Sequence, residues 1–345
     1  MTPQRLAELV STFPSRRIAV IGDFFLDKYL EVDHALDEPS FETGLNANQV
    51  AAIRPFAGAA GTVVNNLAAL GCETLHAIGA VGEDGEAFDL RHCLHKVGCS
   101  TEGLVTCSEI MTPTYLKPRD MRDPSLAGEH ERYDTKNRSP MPRVVLNQML
   151  ATLDRLLPEV DAVIVLDQVV EDDCGVITAA MRTALAERAR QHPRVLFWAD
   201  SRKHIRQFRN MLIKPNQFES VGHANPLPDE RIDLDRLKSE LPALRTATQA
   251  PVCVTLGERG LMVSDPVPTF VPAVRVEGPI DPTGAGDSVT AGMVLSLISG
   301  AGMPEAALIG NLVASITVQQ LATTGVARPD ELSARLEMWR QQNPA

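Results

Sequence analysis

The run Ile280-Asp281-Pro282-Thr283-Gly284-Ala285-Gly286-Asp287-Ser288 leads directly into the apolar stretch Val289–Ile298 and reads as a small-residue turn opening a helix. Glycines at 284 and 286 let backbone N–H groups converge without Cβ obstruction. The helix N-terminus adds a positive end, so the segment predicts an anion site. Asp287 has two readings that the residues leave open. It is an acid of the first helical turn, where the dipole favours it, or a general base for an incoming hydroxyl beside a phosphoryl group in transit. Two common phosphate scaffolds are missing. Where a dinucleotide fold places GxGxxG after its first strand, the residues are Gly22-Asp23-Phe24-Phe25-Leu26-Asp27, and no GxxxxGK[ST] string occurs.

The elements that must position these groups are legible as short apolar runs ending in polar or glycine-containing turns. Ile18–Ile21 ends in Gly22-Asp23, Val163–Leu166 in Asp167, and Val195–Trp198 in Asp200. Met211–Ile213 leads to Lys214-Pro215-Asn216, and Val252–Leu256 to Gly257-Glu258-Arg259-Gly260. Runs that are apolar at consecutive positions belong to strands buried on both faces, which predicts a parallel sheet covered by helices. Helical segments are expected over Thr62–Leu70, Phe88–Val97, Val144–Leu157, Val176–Gln191, Ser288–Ser299, Pro304–Leu321 and Pro329–Gln341. Ligands of open α/β sheets bind outside the carboxyl ends of the strands, so Asp23, Asp167, Asp200, Asn216 and Gly257 are expected to rim one crevice. Residues 31–56 and 105–138 break this rhythm. Their strings Thr112–Lys117 and His130–Asp134, bounded by Pro118, Pro124 and Gly128, are β-prone and predict a small antiparallel sheet inserted as a lid. Residues 1–30, 57–104 and 139–345 then form the core.

Composition narrows the partners. The 345 residues carry 33 Lys+Arg against 44 Asp+Glu, a formal net charge of −11, with 44% hydrophobic and 22% charged residues. That length supports one large domain with a buried site. The acidic balance argues against nucleic acid and anionic membranes as partners, and 4% aromatic residues leave little for base stacking. The six cysteines form no CxxC pair and read as reduced thiols. His92, Cys93, His95 and Cys99 are the densest cluster of soft ligands, but their spacing matches no zinc pattern. Met1–Arg17 lacks the apolar core of a signal peptide and no apolar run reaches membrane length, so a cytoplasmic location is expected.

Taken together, these motifs resemble the ribokinase or phosphofructokinase B (PfkB) family of carbohydrate kinases. Asp281-Pro282-Thr283-Gly284-Ala285-Gly286-Asp287 resembles the family's C-terminal signature, Asn216-Gln217-Phe218-Glu219 its NxxE motif, and Thr255-Leu256-Gly257-Glu258-Arg259-Gly260 its TLGxxG nucleotide segment. Gly79-Ala80-Val81-Gly82-Glu83-Asp84-Gly85 is similar to the glycine-rich stretch near its N-terminal signature. The resemblance implies a ribokinase-like, Rossmann-like core, a β lid over the sugar, and transfer of the ATP γ-phosphate to a carbohydrate hydroxyl. Asp287 then takes the base role, and the amides of Gly284, Ala285 and Gly286 stabilise charge on the transferred group. Asn216 and Glu219 carry over to Mg2+ and phosphate, with Glu219 acting through water. Thr255, Gly257 and Gly260 fall in the nucleotide segment, and Asp281 and Thr283 resemble the K+ loop of many members.

On the acceptor side, Asp23 and Asp27 follow the first strand, and Asp27 matches the aspartate that holds sugar hydroxyls through two acceptor oxygens. Gly58-Ala59-Ala60-Gly61-Thr62-Val63-Val64-Asn65-Asn66 resembles the family's GGxxxN segment, with Ala59 where the second glycine is usual and Thr62 near the expected asparagine. The opening Gly22–Tyr29, the string Thr112–Arg119 and Arg132-Tyr133-Asp134 look most like the heptose 7-phosphate kinase branch. Lys117, Arg119 and Arg132 either meet a phosphate already on the acceptor or form a solvated basic face. That branch is often fused to a nucleotidyltransferase, and a chain ending at Ala345 is expected to be the kinase half. The alternatives are a ribokinase-like or nucleoside kinase acting on an unphosphorylated acceptor, and a sugar- or nucleotide-sensing protein without turnover. An exposed lid edge predicts a homodimer.

Overall fold

The computed structural model describes residues 1–123, 128–321 and 325–344. Pro124, named above as a lid boundary, and Ala345 lie outside the described residues. Six parallel strands form the central sheet in the order β12-β11-β10-β1-β6-β7. They are β1 (Arg17–Gly22), β6 (Thr74–Val81), β7 (Cys99–Thr106), β10 (Ala162–Asp167), β11 (Leu196–Ser201) and β12 (Leu212–Ile213). Consecutive apolar residues serve both faces, as the runs predicted. In β1, Ile18 and Val20 belong to one core while Ala19 and Ile21 belong to the other.

The first core is closed by α1 (Pro3–Val10), α2 (Ala60–Ala69), α3 (Gly85–Lys96), α8 (Ala285–Ile298), α9 (Met303–Thr317) and α10 (Leu332–Gln342). The second is closed by α4 (Arg143–Leu156), α5 (Ala179–Gln191) and α7 (Leu234–Thr248), with the single-turn α6 (Gln217–Ser220) at its rim. Helix α8 is buried on all sides from Ser288 to Ser296. It packs so closely on α9 that a Cβ on Gly292 would stand 3.2 Å from the Gly310 Cα. A helix held this tightly fixes the position of its own N-terminus.

Two features of the core differ from expectation. Strands β6 and β7 were not anticipated from their mixed composition. The run Val252–Leu256 gives β13 (Cys253–Thr255), which pairs antiparallel with β14 (Gly260–Val263), itself paired with β15 (Thr269–Pro272). Among the described residues, single parallel bridges, Ile213 to Val252 and Asn216 to Thr255, join this unit to the edge of the central sheet.

The second sheet contains β2 (Phe24–Val32), β5 (Val50–Ala59), β8 (Thr114–Asp120) and β9 (Tyr133–Thr135) in the order β5-β2-β8-β9. It is mixed, not antiparallel throughout, because β2 and β8 run parallel. The reason is topological. β2 leaves the core directly after β1, and the chain returns to β8 only after traversing β6, α3 and β7. A two-residue ribbon, β3 (Glu38–Pro39) with β4 (Asn46–Ala47), lies in the loop between β2 and β5. No described helix is long and apolar enough to cross a membrane. All six cysteines are free.

Candidate active site

The small-residue run opens α8 as expected. Gly284 is its N-cap at φ +78°, a left-handed conformation that suits glycine, and a Cβ there would stand 3.4 Å from Thr62 Cγ2 in the first turn of α2. Two helix N-termini therefore converge at one point. The Ala285 amide donates to the Pro282 carbonyl at 3.1 Å, so this expected anion donor is already engaged in the turn. The amides of Gly286 and Asp287, in the first helical turn, have no carbonyl of their own helix to donate to.

Asp287 lies in that first turn and is half-buried. Loss of water and the neighbouring Asp200 charge push its pKa up to about 7, against the pull of Lys214 and Arg202. Lys214, directly after β12, is buried and pairs with Asp200 Oδ2 at 2.8 Å. Burial opposes its charge, yet Asp200 and Asp287 hold its pKa above the ordinary lysine value. Gly286 admits this contact, since a Cβ there would stand 3.2 Å from Lys214 Nζ. Asp200, Glu219 and Asp287 thus share one buried ammonium, with the Arg202 charge at the edge.

Asn216 and Glu219 form a capping box. Asn216 Oδ1 accepts from the amides of Phe218 and Glu219 at 2.8 and 2.9 Å, and Glu219 Oε2 accepts from the Asn216 amide at 2.7 Å. Burial and the Asp200 charge raise the Glu219 pKa. Among the described residues no group of three or more His, Cys, Asp or Glu side chains is placed to hold a metal ion, so a hard cation here would have to be held largely through water, with Asn216 and Glu219 as the oxygen donors at the rim. Thr255 is bridged to Asn216, and Gly257 at φ +59° has open space where a Cβ would be. Gly260 sits elsewhere: its missing Cβ leaves room for the Val271 carbonyl, 2.3 Å from where that atom would be, so its place is in the β14–β15 ladder. Asp281 is buried and accepts from the Thr283 amide at 3.0 Å.

On the lid sheet Asp27 is buried, with Lys117 Nζ 3.3 Å from its Oδ1. Gly58 has no side chain because Asp27 fills its place; a Cβ there would stand 2.6 Å from Asp27 Oδ2. Ala59, in the usual glycine position, adopts φ +51° and ψ −116°, a conformation that strains any residue with a Cβ. Asp23 faces another way. Its carboxylate accepts from the amides of Gln168, Val169 and Val176 at 2.8, 3.3 and 2.8 Å, tying β1 to the loop after β10, and burial lifts its pKa to about 6.

The three basic lid residues are already matched with carboxylates. Lys117 meets Asp27, buried Arg119 lies 3.7 Å from Glu31 and donates to the Asp123 carbonyl at 2.7 Å, and Arg132 forks onto Asp134 at 2.6 and 2.9 Å. Arg132 also covers the Tyr115 ring, 4.2 Å from its centroid. The sequence reading assigned no role to Lys214 or Arg202. The available signal for Lys214 was a lysine placed directly between an apolar strand and Pro-Asn.

A profile described as pfkB family carbohydrate kinase matches residues 16–330. A curated relative, the bifunctional protein HldE of Caulobacter vibrioides, is 30% identical over 95% of this chain and 65% of its own length. The HldE of Nitratiruptor sp. is 30% identical over 88% of this chain and 61% of its own. The chain thus spans less than two thirds of the relatives it matches. Among solved structures, phosphofructokinase-2 from Escherichia coli in complex with potassium has a TM-score of 0.70 at 18% identity, covering 94% of this chain and 99% of that one. Ribokinase from Arabidopsis thaliana, complexed with ribose and ATP, gives 0.64 at 16%, again over 94% and 99%.

Proposed function

The chain belongs to the pfkB family of carbohydrate kinases, phosphotransferases with an alcohol group as acceptor, and from that premise we propose that its acceptor is a heptose 7-phosphate or a similar sugar phosphate. The observation that carries the transfer chemistry is the group around Lys214. Asp287, with its pKa near 7, stands in the first turn of α8 beside buried Lys214, close to where α2 meets Gly284. In this reading Asp287 accepts the proton of the acceptor hydroxyl. The amides of Gly286 and Asp287 and the Lys214 ammonium receive the charge of the moving phosphoryl group. Asn216 and Glu219 would hold a Mg2+, which would supply neutralisation of phosphate charge, while Thr255 and Gly257 border the nucleotide and Asp281 and Thr283 would hold a K+. Asp27, Lys117 and Gly58 hold the acceptor.

Support for the heptose comes from the strings Gly22–Tyr29 and Thr112–Arg119 and from the relatedness to the HldE proteins. One observation favours an unphosphorylated acceptor instead: Lys117, Arg119 and Arg132 each meet a carboxylate. Magnesium-dependent ADP release across pentoses, hexoses, heptoses, nucleosides and their terminal phosphates decides between the two. Turnover restricted to a phosphorylated heptose supports the proposal. Turnover on free sugars alone removes the acceptor assignment, and nucleotide binding without turnover of any acceptor favours a sensor.

A further inference from the structure

We propose that His34 and His130 form a binding site on the lid for a transition-metal cation of the Zn2+ type, separate from the transfer site and independent of which acceptor is used. His34 begins the single-turn helix His34–Leu36 just after β2. His130 lies shortly before β9, its amide donating to the Pro118 carbonyl at 2.9 Å. Their Nε2 atoms come within 3.4 Å of each other and their ring centroids lie 5.1 Å apart. As a hydrogen bond this contact is long, since the usual N–H···O range is about 2.7–3.2 Å. It is also bent, because a straight N–H···N line of that length would put the centroids about 5.7 Å apart. One cation accounts for both distances. Two imidazoles on a tetrahedral ion, with Zn–N of about 2.0–2.1 Å, have nitrogens about 3.3–3.4 Å and centroids about 5.2 Å apart.

The far nitrogen of His34 is held as that of a metal ligand usually is. Its Nδ1 lies 2.7 Å from Asp37 Oδ2, and Asp37 accepts in turn from the Asn46 side-chain amide and the Gln49 backbone amide, each at 3.1 Å. A carboxylate in that place keeps the ring proton on Nδ1, leaves the Nε2 lone pair toward His130 and raises its basicity. Among the described residues His130 Nδ1 has no hydrogen-bond partner, so this ring can carry its proton there and turn its own lone pair to the same point. Both rings are exposed and open to an ion from solution. The charges of Asp37, Asp120 and Asp33 act on His34, and Arg122 pairs with Asp33 at 2.9 Å, so the surroundings favour a cation. No group of three or more His, Cys, Asp or Glu is placed to hold a metal among the described residues, so water completes the tetrahedron. Imidazole nitrogens suit Zn2+, Ni2+ and Cu2+, whereas Mg2+ prefers oxygen. The soft cluster seen in the sequence is not such a site. His95 Nε2 bonds the Thr101 hydroxyl at 2.7 Å, and the Cys93 thiol donates to the Pro55 carbonyl at 3.3 Å.

The test is calorimetric titration of Zn2+ into the full chain, with Mg2+ in excess throughout so that oxygen sites are occupied. Binding of a single Zn2+ per chain is expected, and His34→Ala and His130→Ala should each weaken it by more than about tenfold, since even the outer partners of a metal ligand are worth about 10–100-fold. Asp37→Asn removes only the charge behind His34 and should cost about tenfold, the low end of that range. His92→Ala, in the soft cluster, should leave the affinity unchanged. Thermal unfolding gives a second readout. Zn2+ should raise the midpoint of the wild type, because it binds the folded chain, and leave that of His130→Ala where it was. Absent Zn2+ binding overturns the site. So does an affinity that survives either histidine variant, or one that His92→Ala removes instead. Each of these failures leaves the kinase reading intact, because none of the measurements involves phosphate transfer.

Discussion

Asp287, the proposed base, and Lys214 are opposite partners in one problem, how to keep a carboxylate and the cation that stabilises its charge together with little water. The Asp287→Asn variant should retain nucleotide binding and lose about 10²–10⁴-fold in kcat, the usual contribution of general-base catalysis; steady-state kinetics with a nucleotide titration check both halves. The base must be ionised, so wild-type kcat should fall as pH drops through about 7. Stability runs in the opposite sense. The ordinary carboxyl titrates near 3.8 and the folded one near 7, so folding disfavours the charged form and this group's contribution is lost as pH rises between those values. Denaturant titrations at pH 5 and pH 8 should therefore show Asp287→Asn gaining on the wild type at the higher pH. Lys214→Met leaves Asp200 without its buried partner and should cost about 3–5 kcal/mol by urea unfolding, the usual effect of breaking a buried pair. It should also move the acid limb of the kcat profile to higher pH, because Lys214 holds the Asp287 pKa down.

Elements bring these residues together in ways the chain announces unevenly. Strands β1, β10 and β11 are legible because apolar residues at consecutive positions can only suit a sheet covered on both sides. Strands β6 and β7 are not, since His76, Gly79 and Glu102 interrupt that signal. The parallel pairing of β2 with β8 joins residues 26 and 114, and no local pattern records a partner so distant. The same limit applies to charges. Lys117 and Arg119 are visible as cations, but Asp27 and Glu31 become their partners only through the register of β2 with β8, whereas Arg132 pairs with Asp134 two residues on. By contrast, Ala59 was legible as a departure, and the fold shows its cost at the junction of β5 and α2. Ala59→Gly should relieve the strained backbone and raise stability by about 1 kcal/mol. A thermal midpoint that stays the same or falls would show that the Ala59 methyl group contributes more by packing than its backbone strain costs.

Across the whole molecule, exposed apolar side chains gather on the lid. Leu36, Phe41, Leu45, Val50 and Ile53 all lie between the start of β2 and the end of β5, and β5 is an edge strand. Such a patch marks a contact surface. Light scattering should give twice the 37.4 kDa of one chain, and Phe41→Ser with Leu45→Ser should return it to one. A monomeric wild type would leave the patch without this role. The contact of Gly284 with Thr62 has a different reach. Thr62 belongs to the helix that continues the lid strand β5, and Gly284 caps the helix proposed to face the transferred phosphate. On the proposed reading a shift at either end should be felt at the other, so the two ligands are expected to act as thermodynamic effectors of one another. Linkage then demands symmetry: whatever factor the acceptor adds to nucleotide affinity, the nucleotide must add to acceptor affinity.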